Sequence, residues 1–324
     1  MDVRTFIQTN KVLGPIYKTA AKVYKDSRTK SKFRRDFKCK KVFVNRSNGS
    51  DKLCVVLAGY KSFAYSAVFS RIKAFAPKDM DICVASSGLY SQELADICEK
   101  NNWSYLSTSR NQVALIQNVA ISLHPKAQYV FKLDEDIFIT KNYFENMMRA
   151  YEHAQNSDFC PGVIAPILPI NGYAHLRLLD KLNLREIYEE KFQAPKHIAG
   201  PHRQIESNPE VAKFFWGEGG YVPPIDDLNA RFSAEPLAET VCPIRFSIGA
   251  ILFERSFWEE MGHFDVSRLN NGMGIDEIQM CSQCCLLSRP LMVSENIVVG
   301  HLSFGTQNAP MKEYFLSHPE LFNI

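Results

Sequence analysis

Short apolar stretches alternate with longer amphipathic stretches over the first half of the chain. The apolar stretches are partly β-branched and predict buried strands, whereas the amphipathic stretches predict helices. The predicted strands are 53–58, 81–85, 103–107 and 129–133, and the helices between them are 67–76, 91–101 and 113–123. Alternation of this kind predicts a mostly parallel sheet with helices on both faces. In such sheets, ligands bind beyond the carboxyl ends of the strands.

The second half keeps this pattern at its two ends and loses it in the middle. Residues 170–243 are irregular and rich in proline and aromatic side chains. The predicted elements around them are helices 143–154, 256–261 and 275–287, and strands 162–168, 245–253, 291–293 and 297–299. The sequence therefore predicts an α/β domain over 51–324, made of a half at 51–140, a half at 141–324 and a variable region at 170–243.

The N-terminal segment, residues 1–50, differs from the rest in charge. Residues 1–41 contain 13 Lys or Arg against 3 Asp, although the whole chain has a net charge of only +3. The pattern predicts a helix around 6–24, with Pro15 at its start or at a kink. Two interpretations stay open for this basic segment: a solvated helix belonging to its own domain, or contact with an anionic membrane surface or glycan. Nothing downstream is suited to reading nucleic-acid bases, so no nucleic-acid partner is expected.

Composition excludes several classes of protein. The hydrophobic fraction of 46% and the charged fraction of 23% exclude a disordered chain and a collagen-like fibre. The nine cysteines follow no disulfide framework, which favours a reducing compartment. No secretory leader and no apolar run of about 18 residues is found, so no membrane-spanning helix is expected. We therefore expect a cytoplasmic protein, peripheral on the inner face of the membrane if the basic segment binds lipid.

The strongest chemical signal is Asp134-Glu135-Asp136, which directly follows an apolar strand. Asp134 and Asp136 project to the same side of an extended chain, because side chains alternate along it. Two carboxylates on one side suit Mg²⁺ or Mn²⁺ that also holds phosphate oxygens. The alternative is a solvated acidic turn.

A second signal is the acidic pair Asp276-Glu277, which follows Gly272-Met273-Gly274 at a predicted helix start. The positive end of a helix favours ionised carboxylates, and an ionised carboxylate can accept a proton from an attacking hydroxyl. The alternative is a plain helix cap. A third signal is His301, whose imidazole could complete a metal site alongside the upstream acids.

Taken in order, these features resemble nucleotide-sugar glycosyltransferases of the GT-A fold, close to glycosyltransferase family 2. Residues 53–59 are similar to the opening of the nucleotide-binding half, and Asp134-Glu135-Asp136 matches the DxD motif. Residues 246–265 match the small-residue strand, helix and Gly-x-Phe-Asp turn of the family, and Asp276-Glu277 matches its second acidic motif. The resemblance covers about residues 52–306.

The resemblance implies an inverting transfer of a sugar from a nucleoside-diphosphate donor, with a UDP-sugar favoured. The acceptor would be a hydroxyl of a glycan or lipid-linked molecule in bacterial-type surface polysaccharide synthesis. Mn²⁺ or Mg²⁺ would be held by Asp134, Asp136 and His301, and Glu277 or Asp276 would be the catalytic base. Further contacts to the nucleotide are implied for Ala58, Tyr60, Ser86, Ser87, Arg110, Asn111, Asp134 and Glu135.

The chain also departs from the family pattern. Ser86 and Ser87 stand where the family often has an aspartate for the nucleobase, and Ala58-Gly59-Tyr60-Lys61 replaces the usual opening motif. Trp216 and Tyr221, in the variable region, could offer aromatic faces to an acceptor sugar or could pack in the fold. Two other functions stay open: a nucleotidyltransferase of related fold, and an inactive scaffold for glycan assembly.

Overall fold

The computed structural model describes residues 3–266 and 274–324. It divides into a helical unit, Met1–Lys40, and a larger unit, Lys41–Ile324. This division falls after Lys40, whereas the sequence pattern predicts the boundary at residue 50. Residues 41–44 form a strand that pairs with the central sheet, and residues 47–50 bind the buried carboxylate of Asp81.

The N-terminal unit contains two helices, Val3–Thr9 (α1) and Leu13–Phe37 (α2). The side-chain oxygen of Asn10 accepts hydrogen bonds from the N–H groups of Val12 and Leu13, which starts α2. Pro15 lies in the first turn, where its missing N–H has no helical partner to lose. The helix predicted around 6–24 is therefore two helices separated at residues 10–12, and Pro15 lies at the start of the second, which continues to Phe37.

The larger unit contains the strands and the remaining helices. The strands are β1 (Lys41–Val44), β2 (Lys52–Leu57), β3 (Asp81–Ser87), β4 (Ser104–Thr108), β5 (Tyr129–Asp134), β6 (Ile137–Phe138), β7 (Val163–Ile167), β8 (Glu239–Val241), β9 (Ala250–Glu254), β10 (Leu291–Val298) and β11 (Gly300–His301). The helices are α3 (Tyr65–Phe75), α4 (Gln92–Asn101), α5 (Val113–Leu123), α6 (Tyr143–Gln155), α7 (Ala174–Leu182), α8 (Arg185–Lys191), α9 (Gln204–Ser207), α10 (Pro209–Phe215), α11 (Ile225–Ser233), α12 (Arg255–Glu260), α13 (Ile275–Leu286) and α14 (Asn308–Ser317).

Nine strands form one sheet in the order β1-β4-β3-β2-β5-β9-β7-β10-β8. Strands β2, β3, β4, β5, β7 and β10 run in one direction, and β1, β8 and β9 run in the other. The apolar side chains of the central strands are buried, as their continuous apolar sequence predicts. The predicted α/β class, with a mostly parallel sheet flanked by helices, is confirmed.

In the first half of the larger unit, the local sequence signals agree closely with the observed helices and strands. The hydroxyl of Ser91 accepts a hydrogen bond from the N–H of Leu94 and caps α4, as predicted. The differences are concentrated in the second half. The strand predicted from residue 245 starts only at Ala250, and the two short strands predicted at 291–293 and 297–299 are one irregular strand, β10. The variable region 170–243 contains α7–α11 and β8.

Within the described ranges, no helix is both long enough and apolar enough to cross a lipid bilayer.

Candidate active site

The candidate site lies at the carboxyl ends of β2 and β5, which are neighbouring parallel strands. The segment Ala58–Lys61 follows β2, and the acidic segment Asp134–Asp136 closes β5. A second small sheet, β6 paired with β11, brings His301 opposite Ile137. These pairings place residues that are far apart in the sequence at one edge of the sheet, where α/β folds bind ligands.

The three acids of the segment have three different partners. Asp134 Oδ1 lies 2.6 Å from the ammonium of Lys132. Burial raises the pKa of Asp134 to about 6, against the opposing effect of Lys132. Glu135 accepts hydrogen bonds from the N–H groups of Gly59 (2.7 Å) and Tyr60 (3.0 Å). Glu135 therefore ties the end of β2 to the end of β5.

Asp136 forms the shortest ion pair of the site. Its Oδ2 atom lies 2.5 Å from Lys61 Nζ, which also donates to the carbonyl and hydroxyl oxygens of Ser303 at 3.2 Å. Burial acts to raise the pKa of Asp136, but Lys61 and then His301 outweigh it, so the pKa is lowered. Asp136 is therefore an ionised, buried carboxylate.

His301 lies near the same carboxylate oxygen of Asp136. Its Nε2 atom is 3.6 Å from Asp136 Oδ2, and its Nδ1 atom is buried without a hydrogen-bond partner. Burial lowers the pKa of His301 to about 4, so the imidazole is neutral near pH 7. The indole N–H of Trp216 donates to the carbonyl of His301 at 3.0 Å and fixes the backbone there.

These side chains, as arranged, do not fit a divalent metal ion. Asp136 and a neutral His301 are suitable ligands by chemistry. However, an ion bound to Asp136 Oδ2 would lie less than about 5 Å from the Lys61 ammonium, and the two positive charges would repel. Across residues 3–266 and 274–324, no three His, Cys, Asp or Glu side chains converge as metal ligands. The set predicted for Mn²⁺ or Mg²⁺, namely Asp134, Asp136 and His301, is therefore not assembled, because Lys132 and Lys61 neutralise its two acids.

The acidic pair opens helix α13, as the sequence predicts. Asp276 is buried and accepts a hydrogen bond from the side-chain amide of Gln117 at 2.8 Å. Glu277 is partly open to solvent and forms an ion pair with Arg245, with Nε and Oε1 3.0 Å apart. Burial raises the pKa of Glu277 from 4.5 to about 7, and Arg245 opposes this shift. Residues Gly272 and Met273 of the preceding segment lie outside the described residues.

Lys132 is a buried cation whose charge acts on the acidic segment, on the acidic pair and on His301. Its ammonium donates to the carbonyl of Ile248 at 2.6 Å and pairs with Asp134. The same charge lowers the pKa of Asp134, Glu277 and His301. Asp276 in turn raises the pKa of Asp134. The residues singled out by three separate sequence motifs therefore share one electrostatic environment.

The predicted nucleotide contacts divide into exposed and buried groups. Tyr60 has an exposed ring and donates its hydroxyl to the carbonyl of Ser87 at 2.7 Å. Arg110 and Asn111 are also exposed, and they follow the end of β4. These three side chains stay predicted nucleotide contacts.

The other predicted contacts are used inside the protein. The Ser86 hydroxyl is fully buried between the carbonyl of Leu89 and the hydroxyl of Tyr105. The Ser87 hydroxyl accepts from the N–H of Gln112, and Ala58 contributes a buried backbone N–H to the carbonyl of Ala85. Ser86 therefore presents no group to a nucleobase, because both of its hydrogen-bonding partners are internal.

The two aromatic residues predicted to contact an acceptor have different surroundings. Trp216 is only 6% exposed, and its ring packs on Phe138 and Phe322. It does not present a face to a sugar, because its ring is buried against these two side chains, and its indole N–H is hydrogen-bonded to the carbonyl of His301. Tyr221 is 37% exposed, its ring stacks on Phe214, and the ammonium of Lys191 lies over the ring at 4.8 Å from its centroid.

Sequence reasoning missed the cations of the site: Lys61, Lys132 and Arg245. Lys132 had a visible signal, because a lone lysine within the apolar strand Phe131-Lys132-Leu133 needs an acidic partner when buried. Lys61 and Arg245 stand in loops, and nothing local indicates their partners.

Comparison with known proteins gave structural neighbours but no sequence relatives. No family model and no curated protein sequence matches this chain. Structural neighbours include the mannosyltransferase PcManGT from Pyrobaculum calidifontis, solved with GDP-Man and Mn²⁺ (TM-score 0.46, 11% identity, 88% of this chain and 67% of that one). Another is residues 1–349 of TarS from S. aureus (TM-score 0.46, 12% identity, 77% and 60%). These two are GT-A-type glycosyltransferases, and this chain spans less than two thirds of the TarS fragment. A third is 4-diphosphocytidyl-2C-methyl-D-erythritol synthase from Anaerococcus prevotii (TM-score 0.40, 10% identity, 84% and 100%).

Proposed function

We propose that this protein is a glycosyltransferase that moves a sugar from a nucleoside-diphosphate donor to an acceptor hydroxyl, with inversion at the anomeric carbon. The observation that carries the proposal is a cluster of charges at the carboxyl edge of the sheet: Lys61 and His301 lie against Asp136, and the charge of Lys132 acts on both His301 and Glu277. Sugar transfer needs a base beside the acceptor and positive charge beside the leaving diphosphate, and this edge carries both.

Glu277 is the better supported base of the acidic pair. A pKa of about 7 lets the carboxylate take a proton from the acceptor hydroxyl and release it again near neutral pH. Asp276 is buried and fixed by Gln117, which suits a positioning role. In the reaction, the acceptor O–H bond breaks and its proton passes to Glu277. The acceptor oxygen then forms a bond to the anomeric carbon, and the bond from that carbon to the diphosphate oxygen breaks with its electron pair.

The leaving diphosphate gains negative charge as the sugar departs, and fixed positive charge stabilises such a transition state. The resemblance implies Mn²⁺ or Mg²⁺ for this purpose. The cation found against Asp136 is Lys61, so metal dependence stays a prediction that binding measurements with and without EDTA decide.

Thermal-shift binding is the first test. UDP, GDP, CDP and their sugars are each added with Mn²⁺ and with EDTA, beginning with UDP-sugars. A ligand that binds the native state raises its melting temperature, so a shift for one nucleotide supports the proposal and identifies the donor class. A shift for nucleoside triphosphates alone, with pyrophosphate released, would favour a nucleotidyltransferase. No shift with any nucleotide would favour a scaffold without activity.

Transfer itself is tested with Glu277→Gln. We expect this variant to bind the donor nucleotide like the wild type and to lose transfer by about 100-fold or more, because general base catalysis is removed. Glu189→Gln, at an exposed position of α8, is the matched control. Equal transfer by Glu277→Gln and the wild type would contradict the assigned base.

We further propose that the helical unit 1–40 binds an anionic membrane surface. In α2, Ile16, Ala20 and Val23 recur at helical spacing on one face and are exposed, while Lys18 and Lys22 lie on the opposite face. An exposed apolar face backed by cations is the pattern of helices that lie in the membrane interface. A glycan or lipid-linked acceptor would be met at such a surface.

Vesicles of phosphatidylcholine with and without phosphatidylserine test this proposal. We expect the full chain to bind the anionic vesicles, and binding to weaken with salt. A chain without residues 1–40 should not bind them but should still transfer to a soluble acceptor. Equal vesicle binding by the two chains would refute the role of this unit, and loss of soluble transfer would instead indicate that it grips the glycan.

A further inference from the structure

Lys61 is held at Asp136 by a complete set of hydrogen bonds. An ammonium group has three N–H donors, and Lys61 Nζ has three acceptors: Asp136 Oδ2, Ser303 O and Ser303 Oγ. Lys61 follows β2 and Ser303 follows β11, so two separate parts of the fold are joined by this one cation. The contact between Lys61 and Asp136 is therefore part of the candidate active site.

The side chains of Lys61, Asp136 and His301 differ in how far they are exposed to solvent. The side chain of Lys61 is 19% exposed, whereas those of Asp136 and His301 are each 4% exposed. A diphosphate that enters from solvent would therefore reach the Lys61 side chain before it reaches the carboxylate of Asp136. Lys61 thus occupies the position of a cation bound to Asp136 Oδ2.

Every acid of the site has a partner within the protein. Lys132 pairs with Asp134, Lys61 with Asp136 and Arg245 with Glu277. The remaining two, Glu135 and Asp276, accept hydrogen bonds from backbone N–H groups and from a side-chain amide, respectively. Three of these five carboxylates are therefore paired with a cation, including both acids of the predicted metal set, and the other two are held by neutral donors.

We infer that Lys61 takes the place of the divalent metal ion: its ammonium stays anchored on Asp136 and exchanges its two Ser303 contacts for oxygens of the donor diphosphate. This inference rests on the proposed function and adds to it that donor binding does not require a metal. Asp136 then acts as the positioning residue for Lys61. Lysine is suited to this role, because its compact charge binds phosphate oxygens from a flexible stem.

Mn²⁺ binding tests the inference without any nucleotide. Free Mn²⁺ is measured by electron paramagnetic resonance during titration of the wild type, Lys61→Met and Lys61→Met/Asp136→Asn. We expect the wild type to bind no stoichiometric Mn²⁺ below about 1 mM. Lys61→Met leaves the carboxylate and the imidazole without the competing charge, so Mn²⁺ affinity should rise at least about tenfold and fall again in the double variant.

Nucleotide binding in EDTA is the second test, with the donor nucleotide found by thermal shift. The wild type should bind it equally in EDTA and in Mn²⁺. Lys61→Met should lose about tenfold or more in affinity in EDTA, whereas Lys61→Arg should stay close to the wild type, because it keeps the positive charge. Lys78→Met, at an exposed position before β3, is the matched control, and circular dichroism verifies that each variant is folded.

The outcomes separate this inference from the proposed function. Nucleotide binding by the wild type that requires Mn²⁺, or stoichiometric Mn²⁺ binding that Asp136→Asn abolishes, would overturn the inference and leave the glycosyltransferase proposal standing. Failure of every nucleotide to bind, with and without Mn²⁺, would overturn the proposed function and the inference with it.

Discussion

Replacing Glu277 by glutamine should make the protein more stable and inactive at the same time. The ionised side chain is unfavourable in its largely buried position, where it is 16% exposed, because burial raises the pKa of Glu277 from 4.5 to about 7. Glutamine has a similar shape and carries no charge to bury. The substitution therefore removes a cost that the folded state bears only in order to keep this carboxylate at the site.

The size of the effect follows from the pKa shift. A group whose pKa is raised on folding stabilises the protein fully at a pH below its unfolded-state pKa, and that stability is lost as the pH rises through the folded-state value. The difference of about 2.5 pKa units corresponds to about 3 kcal/mol above pH 7, and to about half of that at pH 5.5. For a domain of this size, about 3 kcal/mol raises the melting temperature by about 5 °C.

The assay is thermal unfolding of the wild type and Glu277→Gln at pH 8 and pH 5.5, with sugar transfer measured on the same samples. We expect the advantage of the variant at pH 8 to shrink by about half at pH 5.5, as the wild-type carboxyl takes up its proton. Glu189→Gln should show no such difference between the two pH values. A variant that is less stable than the wild type at pH 8 would refute the reasoning, since the Arg245 ion pair would then outweigh the burial of Glu277.

Further substitutions test other parts of the structure. Arg245→Gln should raise the pKa of Glu277 and move the acidic limb of the pH–rate profile upward by about one unit, because an opposing charge is lost; an unmoved limb would exclude Glu277 as the group that titrates. Gly300→Ala should lower the free energy of unfolding by about 1–3 kcal/mol in urea titration, because its methyl group would overlap the ring of Trp216; a neutral effect would mean that this ring can move. Arg71→Met should cost about 1–3 kcal/mol in the same assay, because the fully buried guanidinium donates to the backbone carbonyls of Phe322 and Asn323, which would lose their donor. No measurable loss would show that water satisfies these carbonyls in its absence.

The order of strands and helices could be predicted where the pattern is local. The apolar runs at 53–58 and 129–133 match β2 and β5 within a residue or two, because central parallel strands bury both faces. The strand predicted from residue 245 starts later, because residues 245–249 are used to place Arg245 at Glu277 and the carbonyl of Ile248 at Lys132. Those contacts depend on partners over 30 residues away in sequence, so the apolar pattern alone extends the strand too far.

The sequence motifs identify the acidic side chains of the candidate site. The structure shows the cations that pair with them, which are Lys61, Lys132 and Arg245. Asp136 lies beside His301, and Asp134, Asp276 and Glu277 are linked to this part of the site electrostatically, while their roles stay predictions. The metal set failed to form because Lys61, 75 residues before Asp136, reaches the same carboxylate oxygen. An ammonium group and a divalent ion can each place positive charge beside a buried carboxylate, and the acidic motif alone does not distinguish them.

The position of Trp216 makes it an intrinsic fluorescent probe of the candidate site. Of its three tryptophans, Trp103 packs on Phe69 and Trp258 on His263, whereas the indole of Trp216 is hydrogen-bonded to the carbonyl of His301. A ligand that shifts the β11 backbone at His301 therefore changes the surroundings of this one fluorophore. Emission measured on the native chain, with Trp216→Phe as the blank, would follow occupancy of the site in real time without a label.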